Sequence, residues 1–237
     1  MSDLPVVLIA SYNERPNLER LVPALLSLPV RVQVLVVDDS SPDGSGAYVG
    51  EMARREPRVH LLSRAKKAGY GPAMVAGFGK ALEMNADRMV TMDADFSHDP
   101  NDVPRLLEGL DRADIAIGSR YAGGVRVLNW APHRLLLSMG ANTYVRTVLG
   151  LDIQDCTSGF RAYRREALND GVLEQCHSCG YAFLVELLHR CVKRKRSVCE
   201  VPITYTERRE GDSKMSKRVM LEAALAPWRL KFGARNG

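Results

Sequence analysis

The chain has 237 residues, of which 46% are hydrophobic and 26% charged. These proportions are ordinary for a globular protein and exclude collagen-like, mucin-like and largely disordered chains. No stretch approaches the roughly 18 to 20 uninterrupted apolar residues that a membrane-spanning helix needs, so the sequence predicts that the chain does not cross a bilayer.

The positive charge of the chain is concentrated in one region. The formal net charge is +5, and residues 190–218 contain ten basic and four acidic side chains. Such a cluster predicts either a solvated charged face or an anionic partner, for example a phosphate ligand, an acidic lipid surface or a nucleic acid. An aromatic content of 6%, without a recognition-helix or stacking motif, argues against nucleic acid.

Two features of the sequence indicate the cellular compartment. The first ten residues have no basic region and no small-residue cleavage site after their short apolar run, unlike a secretory signal. The five cysteines are an odd number, unlike a disulfide framework. The sequence therefore predicts a cytoplasmic protein with reduced thiols.

The first half of the chain alternates short β-branched runs with segments of helical period. Several of the short runs are apolar on both faces, which is typical of buried strands in a parallel sheet. This alternation predicts an open, doubly wound α/β fold in which helices flank a mainly parallel sheet. The predicted strands are residues 6–10, 32–37, 59–62, 88–92 and 115–119, and the predicted helices are residues 17–28, 44–56, 72–85 and 101–110.

The second half of the chain is less regular. An amphipathic segment at 215–232, with Pro227 expected to kink it, ends the chain. We predict one main domain over residues 1–214 and an amphipathic, helical C-terminal tail over residues 215–237. The other predicted elements are a helix at 130–149, a turn-rich stretch at 155–163, a helix at 181–193 and a strand at 198–203.

Polar residues follow four of the predicted strands. Ligands of doubly wound sheets bind at the carboxyl ends of the strands, so we expect these residues to meet in one site. Adjacent carboxylates after a buried strand repel one another unless a cation or a hydrogen-bond donor satisfies them. The four polar segments are residues 11–14, 38–44, 93–99 and 118–121.

Asp93 and Asp95 flank Ala94 at the end of the fourth predicted strand. Carboxylate ligands favour Mg²⁺ or Mn²⁺ over zinc, and Mg²⁺ usually completes its shell with water and phosphate oxygens. The pair therefore predicts a metal and diphosphate site. The structural alternative is a helix N-cap, which suits Asp99 before Pro100 but does not use Asp93 or Asp95.

Asp38 and Asp39 end the second predicted strand, where doubly wound folds place a carboxylate that accepts hydrogen bonds from a ribose or base.

Two other types of site, a dinucleotide site and a zinc site, are disfavoured. The Gly69-Tyr-Gly71 segment lacks the third glycine of a dinucleotide fingerprint, and no second closely spaced pair completes a zinc site with Cys176 and Cys179.

With these residues in view, the chain resembles the polyprenyl-phosphate (dolichyl-phosphate) mannosyltransferases of glycosyltransferase family 2, over nearly its whole length. The resemblance implies a single GT-A, Rossmann-like domain. The motifs that carry it are Tyr12-Asn-Glu14, Val37-Asp-Asp-Ser-Ser-Pro-Asp-Gly44, Lys66-Lys-Ala-Gly-Tyr-Gly71, Asp93-Ala-Asp95 with His98, Gly118-Ser-Arg-Tyr121, Arg134 with Gly140-Ala-Asn142, Asp155-Cys-Thr-Ser-Gly-Phe-Arg161, Gly180-Tyr-Ala-Phe183 with Glu186, and Arg208-Arg-Glu-Gly-Asp-Ser-Lys214.

The resemblance implies a function for individual residues of this chain. Those implied to hold the guanosine of GDP-mannose are Tyr12, Glu14, Val37 and Asp39. Those implied to meet the metal and the diphosphate are Asp93, Ala94 and Asp95. Those implied to bind phosphate charge in the active centre are Arg120, Arg134, Arg208 and Lys214, and we expect these four and Asp95 to be required for catalysis.

The resemblance also implies an inverting transfer of mannose from GDP-mannose to a polyprenyl phosphate with the help of Mg²⁺ or Mn²⁺. A phosphate monoester is already anionic near neutral pH, so it needs no dedicated general base. Because the acceptor is a lipid, we expect attachment to the cytoplasmic face of a membrane, through residues 215–232 or a small membrane-embedded partner subunit. Residues 125–151 are either a surface for the lipid tail or an ordinary core helix.

Two alternative functions stay open at this point. The first is a polyprenyl-phosphate glucosyltransferase or another lipid-linked sugar transferase, because the identity of the sugar depends on details of the pocket. The second is a non-catalytic subunit that binds a sugar nucleotide, against which the intact Asp93 and Asp95 pair argues.

Overall fold

The computed structural model describes residues 4–206 and 217–233, with side chains described from residue 222 onward in the second range. The strands are β1 (Val6–Ser11), β2 (Gln33–Asp38), β3 (Val59–Ser63), β4 (Arg88–Met92), β5 (Ile115–Ser119), β6 (Val127–Leu128), β7 (Arg161–Arg164), β8 (Val198–Pro202) and β9 (Tyr205–Thr206). The helices are α1 (Arg15–Leu26), α2 (Ser45–Arg55), α3 (Tyr70–Glu83), α4 (Val103–Gly109), α5 (Pro132–Leu149), α6 (Ala182–Lys193) and α7 (Lys217–Phe232).

A seven-stranded sheet with the strand order β3-β2-β1-β4-β7-β5-β8 forms the centre of the molecule. Strand β7 runs antiparallel to both of its neighbours, β4 and β5, and the other pairings are parallel. The predicted strands and helices of the first half are all present, within two residues of their expected bounds. The prediction of a mainly parallel sheet flanked by helices is confirmed.

The two faces of the sheet bury two separate apolar cores. Along β1, Leu8 packs into the core that includes Phe78 of α3, whereas Val7 packs into the core that includes Leu21 of α1 and Leu106 of α4. Successive strand residues point to opposite faces, so a strand that is apolar at every position must be covered on both sides. This burial explains the uninterrupted apolar runs in the sequence.

The turn-rich interpretation of residues 155–163 is wrong at its end, because β7 begins at Arg161 and inserts between β4 and β5. The Arg161 side chain is fully buried, which is unusual for a charged residue. Its Nη1 donates to the carbonyl oxygen of Leu184 at 2.7 Å and its Nη2 to that of Cys156 at 2.7 Å. These contacts pair two nitrogens of a buried cation, whereas its buried Nε has no hydrogen-bond partner among the described residues.

The C-terminal helix α7 packs on the main domain, against α5 and α6, and continues past Pro227. Ala226 is buried, and the Tyr144 hydroxyl of α5 donates to the carbonyl oxygen of Ala224 at 2.6 Å. Among the residues that the structure describes, no helix has the length and hydropathy of a membrane span. The division of the chain at residues 214 and 215 stays a prediction, since both lie outside the described ranges.

Candidate active site

A cleft of about 1370 Å³ opens at the carboxyl ends of β1, β2, β4 and β5. It brings together the polar segments that follow these strands, as the sequence predicted for a doubly wound sheet. The predicted site residues that line it are Tyr12, Glu14, Asp39, Asp93, Ala94, Asp95, Arg120 and Arg134. Eight residues from separate parts of the chain therefore share one cleft.

Of the remaining three predicted site residues, the structure describes only Val37. The side chain of Val37 is fully buried, and a Cβ on Gly77 of α3 would lie 2.9 Å from its Cγ2. Val37 therefore offers no side-chain surface to a nucleotide, because it faces the core between the sheet and α3. Arg208 and Lys214 lie outside the described residues.

The residues after β1 are held by neighbouring loops. Lys67 Nζ lies 3.8 Å from the centre of the Tyr12 ring, a cation–π contact. The backbone N–H of Glu14 donates to Ser45 Oγ at 3.2 Å, and Glu14 Oε2 accepts from Asn17 Nδ2 at 2.8 Å. These contacts orient an aromatic ring and a carboxylate at the rim of the cleft.

Asp38 and Asp39 have different functions despite being adjacent. Asp38 stabilises a turn, accepting from the backbone N–H of Ser41 at 3.0 Å and from its hydroxyl at 2.6 Å. Asp39 faces the cleft, where it accepts from Arg64 Nη1 at 2.9 Å and from the backbone N–H of Ala68 at 3.3 Å. Of the two, only Asp39 remains a candidate for a nucleoside ligand.

Hydrogen bonds within the loop after β4 hold Asp93 and Asp95 in position. The backbone N–H of Asp93 donates to His98 Nδ1 at 3.2 Å. Burial lowers the pKa of His98, so its imidazole is neutral at pH 7 and can accept this bond. Asp95 Oδ1 accepts from the Ser97 backbone N–H at 3.1 Å and from its hydroxyl at 2.6 Å. The imidazole also stacks on Phe160, with ring centres 4.9 Å apart.

The donor set at Asp93 and Asp95 fits a hard divalent cation. Both carboxylates are half-buried and line the cleft, and a Cβ on Gly159 would lie 3.9 Å from Asp93 Oδ1. Within the described ranges there is no cluster of three or more His, Cys, Asp or Glu residues that could hold a metal. One or two carboxylates are the usual protein share of a Mg²⁺ site that substrate phosphates and water complete.

Arg120 follows β5 and forms a buried ion pair with Asp155. Its Nε donates to Asp155 Oδ2 at 2.7 Å and its Nη2 donates to Oδ1 at 2.6 Å and to Thr157 Oγ1 at 2.8 Å. Burial alone would raise the pKa of Asp155, but the hydrogen bonds and charge of Arg120 outweigh it and lower that pKa. The guanidinium is therefore a fixed cation in the wall of the cleft.

Several cleft residues were not predicted individually. The ring of Trp130 contacts both Arg120 and Arg134, whose guanidinium carbons lie 5.7 Å and 4.7 Å from its centre. Tyr181 stacks on Tyr70, with ring centres 5.2 Å apart. Long-range packing alone brings these residues together. The motifs of the family resemblance contain both tyrosines, but they do not indicate that the two rings stack.

Helix α7 also contributes to the cleft, which the sequence did not indicate. Leu225 and Arg229 line it together with Glu222. Glu222 Oε1 accepts from the backbone N–H groups of Cys179 at 2.9 Å and Gly180 at 3.5 Å. The C-terminal helix is thereby tied to the loop that carries Tyr181.

Comparison with known proteins agrees with this architecture. The model of glycosyl transferase family 2 matches residues 6–172. The polyprenol monophosphomannose synthase of Mycolicibacterium smegmatis is 47% identical over 95% of this chain and 87% of that protein. The undecaprenyl-phosphate mannosyltransferase of Micrococcus luteus is 41% identical over 97% of this chain and 95% of that protein.

A solved structure shows the same fold at low sequence identity. Glucosyl-3-phosphoglycerate synthase from Mycobacterium tuberculosis, crystallised with Mn²⁺, uridine diphosphate and glucosyl-3-phosphoglycerate, superposes with a TM-score of 0.65 and 17% identity. The match covers 97% of this chain and 80% of that one. The chain therefore belongs to glycosyltransferase family 2, has a GT-A fold, and groups within the family with the polyprenyl-phosphate mannosyltransferases.

Proposed function

We propose that this protein transfers mannose from GDP-mannose to a polyprenyl phosphate with inversion at the anomeric carbon, giving a β-linked product. The observation that carries the proposal is one cleft that joins the acidic pair Asp93 and Asp95 to the two arginines Arg120 and Arg134. The carboxylates can hold a cation that neutralises the diphosphate of the activated sugar. The arginines can bind the anionic phosphate of the acceptor. Three named relatives, including the dolichol-phosphate mannosyltransferase of Pyrococcus furiosus at 38% identity, support it.

Asp93 and Asp95 are the residues that would hold Mg²⁺ or Mn²⁺. When bound, the cation supplies charge neutralisation for the leaving diphosphate. The bonds from Ser97 and His98 keep the acidic loop in position before substrate arrives, which lowers the cost of organising the site. Tyr12, Glu14 and Asp39 are the candidates for the nucleoside end of the donor.

In this proposal the two arginines bind the phosphate of the acceptor. A phosphate monoester carries between one and two negative charges at neutral pH, so its oxygen can attack without a general base. Repulsion between the acceptor phosphate and the donor diphosphate is then the main obstacle. Arg120 and Arg134 reduce that repulsion through their positive charge. Because Nε and Nη2 of Arg120 already donate to Asp155 and Thr157, its Nη1 is the nitrogen left for a phosphate oxygen. Arg208 and Lys214 are proposed to assist them.

An exposed apolar surface borders the cleft and supports a lipid acceptor. We call it the apolar rim; it comprises Leu136, Leu137, Met139, Leu225, Trp228 and Phe232, from α5 and α7. Leu137 and Leu225 also line the cleft, so the rim continues into the site. Arg229 and Lys231 lie beside it on α7. This combination suits an anionic lipid surface, and we propose peripheral attachment to the cytoplasmic face of a membrane, directly or through a small membrane-embedded partner subunit.

A substrate panel tests the proposed function. Purified protein is incubated with Mn²⁺, a short polyprenyl phosphate and either GDP-mannose, GDP-glucose, UDP-glucose or UDP-N-acetylglucosamine. We expect transfer from GDP-mannose and a β-linkage in the product by NMR. Preferential transfer from a glucose nucleotide would support the glucosyltransferase alternative. Nucleotide binding without transfer to any acceptor would support the non-catalytic subunit.

A further inference from the structure

The ring of Trp130 contacts both arginines of the cleft. Its ring centre lies 4.7 Å from the guanidinium carbon of Arg134 and 5.7 Å from that of Arg120. The ring of Tyr205 packs against it edge to face, with centres 5.3 Å apart. An indole face attracts a guanidinium more strongly than other aromatic side chains do.

The two arginines are held in different ways. The Arg120 guanidinium is anchored by the fully buried Asp155 and by Thr157. Arg134 belongs to the first turn of α5, and its guanidinium lies over the indole ring. Trp130, two residues before the start of α5, therefore contacts both an anchored cation and a second cation on the helix.

The indole N–H supplies an independent observation. Trp130 Nε1 is buried and has no hydrogen-bond partner among the described residues. Such a buried donor is rare in native structures because it loses its bonds to water without replacement. A fold that retains this cost at a residue of the cleft indicates that the position of the ring matters to the site.

We propose that Trp130 is a positioning residue for the acceptor phosphate: it holds Arg120 and Arg134 at the spacing that the phosphate bridges. Two like charges in a cleft repel one another, and an aromatic ring that contacts both guanidinium groups stabilises them. The arrangement is thus prepared before the acceptor arrives. This inference rests on the proposed function, since it assigns those arginines to the acceptor.

The first test separates acceptor binding from donor binding. Trp130→Leu keeps an apolar side chain but removes the aromatic face, and Trp130→Phe keeps a weaker aromatic face without the N–H. We expect Trp130→Leu to raise the KM for polyprenyl phosphate about tenfold with little change in the KM for GDP-mannose, and Trp130→Phe to restore part of that loss. Equal increases in both KM values, or no change in the acceptor KM, would overturn the proposal.

The second test needs neither the sugar donor nor a substitution at Trp130. The chain has two tryptophans, so in the Trp228→Phe background the emission comes from Trp130 alone. Farnesyl phosphate is titrated into this protein without GDP-mannose, with farnesol and inorganic phosphate as separate controls, and binding is followed in parallel by calorimetry. We expect a saturable change in emission with farnesyl phosphate and none with farnesol.

The outcomes of the second test are distinct from failure of the proposed function. An emission change without mannose transfer would support the position of Trp130 at the phosphate site and remove the proposed reaction. A comparable change with inorganic phosphate would assign the signal to the phosphate group rather than to the lipid. The absence of any binding, or binding without a change in emission, would overturn the inference even if mannose transfer is observed.

Discussion

Arg120 and Asp155 form a two-bonded ion pair across 35 residues of chain, with Nε to Oδ2 at 2.7 Å and Nη2 to Oδ1 at 2.6 Å. The exposed side-chain fractions of the arginine and the aspartate are 10% and 0%. A pair buried to this extent adds little net stability relative to apolar residues, but the loss of one partner leaves an uncompensated charge. Its value here is that it fixes the direction of a cationic side chain that lines the cleft.

Asp155→Asn should therefore affect both stability and transfer. The variant keeps the shape of the side chain but leaves Arg120 without a counter-ion, so we expect a loss of about 3 kcal/mol in the free energy of unfolding. Transfer should also fall when measured well below the melting temperature. Denaturant unfolding and initial rates check the two effects. Unchanged values of both would show that the pair does not organise the site.

Asp95→Ala and Asp93→Ala should abolish transfer and leave the fold intact. Both carboxylates are half-buried at the cleft, so their removal takes little from the core while it uncouples the metal from the diphosphate. Product formation at saturating Mn²⁺ and thermal melting are measured together. Asp99→Asn is the matched control, because this exposed carboxylate caps the turn at Pro100–Asp102 and should retain most of the activity. Near-normal turnover of Asp95→Ala would remove the metal assignment.

Arg208 and Lys214 lie outside the described residues, so their predictions come from the sequence resemblance. Arg208→Ala and Lys214→Ala should lose transfer without a change in melting temperature, because their expected function is to bind phosphate. Arg208→Lys should recover only part of the activity, since an ammonium group cannot form the paired bonds of a guanidinium. Full activity of Arg208→Ala at limiting donor and acceptor would contradict the assignment.

Attachment to a membrane should depend on the apolar rim. Truncation after Lys214 is a poor test, because α7 packs on α5 and α6 and its removal would expose their apolar surface. The double variant Trp228→Ser with Phe232→Ser leaves the buried face of α7 intact. We expect it to co-sediment less with anionic liposomes, and we expect added salt to weaken attachment of the unmodified protein.

Leu128→Ser is the matched control for the rim variant, because Leu128 is equally exposed but lies on β6, outside the rim. It should bind liposomes normally. If the rim variant also binds normally, membrane contact belongs to another surface or to a partner subunit.

His189 should make the stability of the fold depend on pH. It is buried on α6 with neither ring nitrogen hydrogen-bonded to a described residue, and burial lowers its pKa to about 4. In the unfolded chain the pKa is near 6.5, so unfolding takes up a proton between these two values. Stability is therefore retained above about pH 6.5 and declines toward pH 4, by a loss on the order of 2 kcal/mol.

The comparison of His189→Leu with the unmodified protein isolates this effect. Urea unfolding is measured at several pH values from 7 down to 4. The variant should show a smaller decline in the free energy of unfolding, because it lacks the group that takes up the proton. The same slope in both proteins would assign the pH dependence to other residues.

The sequence alone determined six of the seven strands of the central sheet, most of the flanking helices and the set of strand ends that form the cleft. Strand and helix periods are local properties, and the carboxyl ends of neighbouring parallel strands meet at one edge whatever the details of packing. Tyr12, Asp39, Asp93 and Arg120 could therefore be assigned to one site from their positions after strands. The sequence assigned Asp38 and Asp39 together to the end of β2, and only the structure shows that Asp38 bonds Ser41 whereas Asp39 faces the cleft.

Only the tertiary structure decided which residues organise that site. Three of its features join distant parts of the chain. They are the insertion of β7 with its buried Arg161, the pairing of Arg120 with Asp155, and the position of Trp130 beside two arginines. No local period encodes such contacts, because a buried charge is stable only when partners from other elements surround it. The same reason applies to the burial of the Val37 side chain: its strand position is local, but the helix that covers it is not. The contact of Val37 with a nucleotide stays a prediction.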